Sequence, residues 1–349
     1  MITLYRYITT GDSKNPLSKC HSYSLFENED GRYTTMINVI EKYKNTEKNI
    51  AFVECNSLIY NCLKDIKNTK LSKSYDKVIL WASELYWDSV DDEEYVNNLL
   101  DDNVHIIYNF FREDSPYNLK TKSYCSIGSF GDITQMYLNK YNFFPIENPK
   151  YNLICKFGRP NEERVKLYYE LKDSPNFVYS INNFSGYEKT LKDSKTFESE
   201  KNLKGDFKSY QLPKEDFESF AELITETRLT QFEHSKRLVS ATEKTLKGFM
   251  FKRPNITIAQ TEVYSYLESF GFKFPNILGM DSKTQQLEIC KKITSLSKKE
   301  CKDILLQQQS AEKGYPFDVY ENNFNTLVYF LKYHRNKFDE IVNEIIYDN

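Results

Sequence analysis

The segment Thr230-Gln231-Phe232-Glu233-His234-Ser235, followed after a short loop by Ala241-Thr242-Glu243-Lys244-Thr245-Leu246, combines residue types that can hold a phosphate. A strand ending in Glu, then Thr as a helix cap and an acid-base pair in the first turn, presents backbone N–H groups and a cation at a helix N-terminus. Such an arrangement suits a diphosphate. Lys244 would neutralise its charge, and Glu243 would accept hydrogen bonds from ribose hydroxyls. The plainer alternative is a capped surface helix with an ordinary ion pair, because three-residue matches are common.

In context the segment resembles the donor-site signature of the fucosyltransferase family, where Phe-Glu-Asn-Ser precedes Thr-Glu-Lys by a few residues. It is also similar to glycosyltransferases of phages and large viruses, in which Thr-Glu-Lys-Thr leads to a Lys-Pro strand and a Tyr-Leu-x-x-x-Gly-Phe stretch. Here those positions read Lys252-Arg253-Pro254 and Tyr266-Leu267-Glu268-Ser269-Phe270-Gly271-Phe272. Upstream, Phe111-Arg112-Glu113-Asp114-Ser115-Pro116 and then Ile127-Gly128-Ser129-Phe130 resemble the family's Thr-Gly-Glu-Asn stretch with a nearby Ser-Pro and a strand ending Ile-Gly-Phe-Asp. The matched motifs run from about residue 104 to 274.

The resemblance implies a GT-B-like α/β fold of two Rossmann-like domains facing a cleft. It also implies transfer of a sugar from a nucleotide-sugar donor to an acceptor hydroxyl, with inversion and without a metal cofactor. Glu113 falls on the family's general base. The donor side falls on Glu233, Ser235, Glu243 and Lys244, and on Arg164 in the helix opened by Asn161-Glu162-Glu163. Arg159, in the loop before that helix, is a second-choice phosphate ligand. Tyr179, at a strand end, is placed to stack on a nucleobase, although most of the 27 Tyr and 24 Phe build cores. For Glu113 the alternative is a surface carboxylate in a charged Arg-Glu-Asp cluster, and for Arg164 a partner to a helix glutamate.

These residues need elements to carry them. Ile50–Val53, Val78–Trp81 and Val104–Tyr108 read as strands, with helical spacing at 57–63 and 94–100 between them, as in stacked β-α units. Glu84 and Trp87, just past the second strand, and Asp12, in the polar stretch 9–33, are placed on the acceptor side, with core packing the alternative for the first two. The Pro-bracketed Pro145–Pro149 reads as a linker. The expected domains are 1–148 for the acceptor, 149–315 for the donor, and helices over 316–349. Beyond the linker the pattern predicts strands at 153–156, 177–179, 229–232 and 256–259, and helices at 162–171, 217–224, 242–251 and 324–346.

The 349 residues carry 47 basic and 50 acidic side chains, a net charge of −3, so no global positive field draws the chain to nucleic acid or anionic lipid. No apolar run reaches membrane-spanning length, and the sequence lacks a basic-then-apolar leader, so a soluble cytoplasmic protein is expected. Seven scattered cysteines and four histidines show no metal-ligand spacing. The chain's end, Asp339-Glu340-Ile341-Val342-Asn343-Glu344, is acidic where a membrane tether would be basic. A soluble acceptor is favoured, and with the viral resemblance the leading one is a hydroxymethylated pyrimidine in DNA. A glycan or protein acceptor, or a catalytically silent nucleotide-sugar or DNA-binding module, stands as the alternative.

Overall fold

Runs such as Ile50-Ala51-Phe52-Val53 carry no polar alternation, and a strand of that kind must be covered on both faces. The computed structural model describes residues 1–7, 17–19, 34–55, 59–82, 93–109, 118–144, 146–158, 162–181, 197, 211–226, 241–309 and 319–347. In it the chain divides into two compact units, Met1–Met136 with Leu331–Asn349, and Tyr137–Thr230 with Ser240–Phe330. Each unit is a mixed α/β layer built on a mainly parallel sheet.

The first sheet joins β1 (Ile2–Tyr7), β2 (Leu17–Lys19), β3 (Ile50–Cys55), β4 (Lys77–Ala82), β5 (Val104–Tyr108) and β6 (Ser123–Cys125) in the order β2-β1-β3-β4-β5-β6. Only the edge strand β2 runs antiparallel. Leu4 lies opposite Phe52, Phe52 opposite Ile79 and Ile79 opposite His105, which sets these side chains on one face. That face is covered by α1 (Thr34–Tyr43) and by the last part of α11 (Val319–Tyr347), with Trp81 packed edge-on against Phe52 and Phe338. The other face packs Ala51, Val53, Val78, Leu80 and Ile106 against α2 (Ile59–Asn68) and α3 (Glu93–Leu99). Each fully buried large apolar side chain here contributes roughly 1.5–3 kcal/mol.

α4 (Gly128–Lys140) leads into the second unit, whose sheet contains β7 (Tyr151–Gly158), β8 (Phe177–Ile181), β9 (Ser219–Thr225) and β10 (Asn255–Ile258). Their order is β10-β9-β7-β8 and all pairings are parallel. α5 (Glu162–Leu171), α9 (Gln286–Ser295) and α10 (Lys298–Gln309) cover one face through Val165, Leu171, Ile289, Ile293 and Leu305. α6 (Lys214–Phe217), α7 (Glu243–Gly248), α8 (Thr261–Ser269) and the first part of α11, up to Phe330, complete the described helices of this unit.

The strands expected at 50–53, 78–81, 104–108, 153–156, 177–179 and 256–259 form, as do the helices at 162–171 and 324–346, with ends shifted by a few residues. One element is of the other kind. Residues 217–224, expected as a helix, overlap all but the last residue of β9, the second strand from the sheet's edge, with every residue of the strand buried. When both faces are covered, neither helical nor strand periodicity survives in seven residues, so apolar spacing cannot separate the two. The strand expected at 229–232 lies outside the described residues. Among the described residues no helix is long and apolar enough to cross a membrane. Cys55, Cys62, Cys125, Cys155, Cys290 and Cys301 are buried thiols.

Candidate functional site

In the second sheet the chain steps from β7 outward to β8, then returns to place β9 on the other side of β7 and β10 beyond it. Connections leaving β7 and β9 therefore diverge at their carboxyl ends, and open α/β sheets bind ligands in the crevice such a reversal creates. A cavity of about 130 Å³ lies there, lined by Lys156 and Gly158 of β7, Glu222 to Thr225 of β9, Glu243, Lys244 and Lys247 of α7, and Tyr137 of α4. That volume holds about four water molecules. Gly158 ends β7 with a φ of +61°, a left-handed conformation that suits glycine.

Lys244 and Glu243 both line this cavity. The Lys244 ammonium is one-third exposed, 3.2 Å from Thr242 Oγ1 and 3.5 Å from the Glu243 carboxylate. The helix start itself is arranged differently from expectation. Glu226, fully buried just beyond β9, accepts hydrogen bonds from Thr242 N (3.0 Å), Thr242 Oγ1 (2.8 Å), Thr245 N (3.2 Å) and Thr245 Oγ1 (2.6 Å). Thr242 Oγ1 in turn accepts from Lys244 N. The protein's own carboxylate takes these amides, which leaves side-chain cations to meet an anion.

Arg164 is 2% exposed and donates through Nη2 to the Thr225 carbonyl at 2.6 Å. It braces the end of β9 beneath the cavity and is not part of its lining. Burial pulls its guanidinium below the ordinary value, while Glu226 opposes that shift. Tyr179 is buried in β8 among Tyr168, Phe157 and Phe177, also away from the lining. Burial pushes its hydroxyl up to about 12. Glu113, Arg159, Glu233, Ser235, Glu84, Trp87 and Asp12 lie outside the described residues.

Behind the cavity sits a charged network, of which only Arg253, in the Lys252-Arg253-Pro254 stretch, figures in the sequence reading. Lys156 Nζ is 2.5 Å from Asp216, Lys247 Nζ is 2.9 Å from Glu222 and 3.9 Å from Asp216, and Arg253 Nη2 is 2.9 Å from Glu222. Arg253 also donates to the carbonyls of Asp216 and Ser219. Burial alone would raise the Glu222 carboxyl, but Lys247, Arg253 and Lys156 outweigh it and hold it down at about 2. Burial lowers Lys156 to about 8 against the pull of Asp216, whereas Asp216 and Glu222 together keep Lys247 above its ordinary value despite burial. A further sequence signal is a lysine inside an otherwise apolar strand, Leu153-Ile154-Cys155-Lys156-Phe157.

Among the described residues no group of three or more His, Cys, Asp or Glu side chains is arranged to hold a metal ion. Comparison of the chain with protein-family models, curated proteins and solved structures finds no match.

Proposed function

We propose that the chain is a GT-B-like glycosyltransferase whose second unit binds the diphosphate of a nucleotide sugar in the cavity at the β7–β9 reversal. The observation that carries this reading is the convergence of Lys244 and Glu243, the motif pair, on a cation-lined cavity at the carboxyl ends of parallel strands. In the reaction the acceptor oxygen bonds to the anomeric carbon as the bond from that carbon to the diphosphate oxygen breaks. Lysine charge stabilises the departing nucleoside diphosphate. The acceptor proton passes to a carboxylate, the role that the fucosyltransferase resemblance assigns to Glu113. The proposed acceptor is a hydroxymethylated pyrimidine in DNA, taken by flipping the base out of its stack.

The test is release of nucleoside diphosphate from a panel of uridine and guanosine sugars, with and without hydroxymethylated DNA. Release stimulated by the modified DNA is the expected result, and Glu113→Gln should lower it at least a hundredfold while nucleotide affinity stays within about twofold. Stimulation by oligosaccharide alone would move the acceptor to a glycan. Saturable nucleotide binding without release from any sugar would make the chain a binding module.

A further inference from the structure

The network behind the cavity holds three cations, Lys156, Lys247 and Arg253, against two carboxylates, Asp216 and Glu222. The other two charges that line the cavity, Lys244 and Glu243, face one another at 3.5 Å. Within this network one positive charge is therefore left over. An uncompensated charge out of bulk water is costly, and a protein retains one where an anion arrives to meet it. The surplus surfaces at one place. Arg253 is fully buried and the Lys247 side chain is 8% exposed, whereas that of Lys156 is 24% exposed and lines the cavity.

We propose that the Lys156 ammonium binds a phosphate of the nucleoside diphosphate directly, as a second cation beside Lys244, with Asp216 as the positioning carboxylate that aims it. The inference deepens the donor-site reading above and rests on it for the identity of the ligand. Lys247 and Arg253 are held by Glu222 and Asp216 and act structurally. Lys156 is their opposite: removing it leaves two cations facing two carboxylates, a balanced core. The groups facing Lys156 are Asp216 of α6, Glu222 of β9 and Lys247 of α7, and Lys247 is the nearby cation that helps burial lower its proton affinity. Phosphate binding accordingly weakens as Lys156 loses its proton through about pH 8.

The experiment is calorimetric titration of the full chain with inorganic pyrophosphate, GDP and UDP, together with thermal unfolding, for wild type, Lys156→Met, Lys244→Ala and Lys247→Met. Lys156→Met should bind all bound probes at least tenfold more weakly yet unfold at the same temperature as wild type or higher. Lys247→Met should unfold at a lower temperature. Wild-type pyrophosphate affinity should fall about tenfold between pH 7 and 9, and this pH dependence should vanish in Lys156→Met. Unchanged affinity in Lys156→Met, with Lys244→Ala weakened, would overturn the role of Lys156 and leave the donor site standing. A Lys156→Met unfolding temperature lowered as far as that of Lys247→Met would make it a structural partner and also overturn the inference. Wild type that binds none of the three probes would remove the donor site itself.

Discussion

Glu226 shows how one side chain can decide what a helix start does. Its carboxylate takes four donors from Thr242 and Thr245, so the amides that usually meet a phosphate are satisfied from within. Glu226→Ala leaves those buried donors without an acceptor. It should lower the unfolding free energy by about 3–5 kcal/mol in urea titration, with Glu226→Gln intermediate because its amide oxygen still accepts. A loss below about 1 kcal/mol would mean that water or another group replaces the carboxylate. Because α7 carries Lys244 and Glu243, the alanine variant should also weaken nucleotide binding without touching a residue that lines the cavity.

Elements differ in how openly the sequence declares them, and the difference has a physical cause. β3, β4 and β5 are buried on both faces, which makes them legible as apolar runs. β9 is equally buried, but Glu222 interrupts its apolar run, and only the partners Lys247 and Arg253 make a charged residue acceptable there. Lys244 and Glu243 were legible from a local motif. Lys156, Asp216 and Glu226 were not, since their roles arise from pairings across 60 and 16 positions of chain. Contacts between elements of the first unit set its pH response. Asp132 of α4 accepts from Thr35 N and Oγ1 in the first turn of α1, and burial raises its carboxyl to about 7 against those bonds and Arg335. That stabilisation is full in acid and fades as pH rises through 7. Burial lowers His105 of β5 to about 4 and His334 of α11 to about 3, so their contribution is present above the ordinary histidine value and is lost as pH falls below it. The balance is a net loss of about 2 kcal/mol between pH 7 and 4.5, and Asp132→Asn should widen it to about 5 kcal/mol by removing the opposing effect. Denaturant titrations at the two pH values check this, and an unchanged gap would contradict it.

At the scale of the whole molecule, two parallel sheets carry unequal features: strand order reverses in the second, whereas the parallel strands of the first succeed one another in chain order. Nucleotide binding should therefore slow amide exchange in β7, β9 and α7 before it affects β3 to β5. At a hundred times Kd it should add about 2.7 kcal/mol to stability. Exchange slowed only in the first sheet would relocate the site. The same reversal orders events in time. β7 and β8 are joined by one local crossover, but Asp216 and Glu222 follow Lys156 only after the intervening chain has been made, and Arg253 follows Glu222 by 31 residues. On the ribosome the lysine emerges long before its counter-charges. A nascent second unit has no complete crevice until α7, which carries the last of the lining residues, has left the exit tunnel.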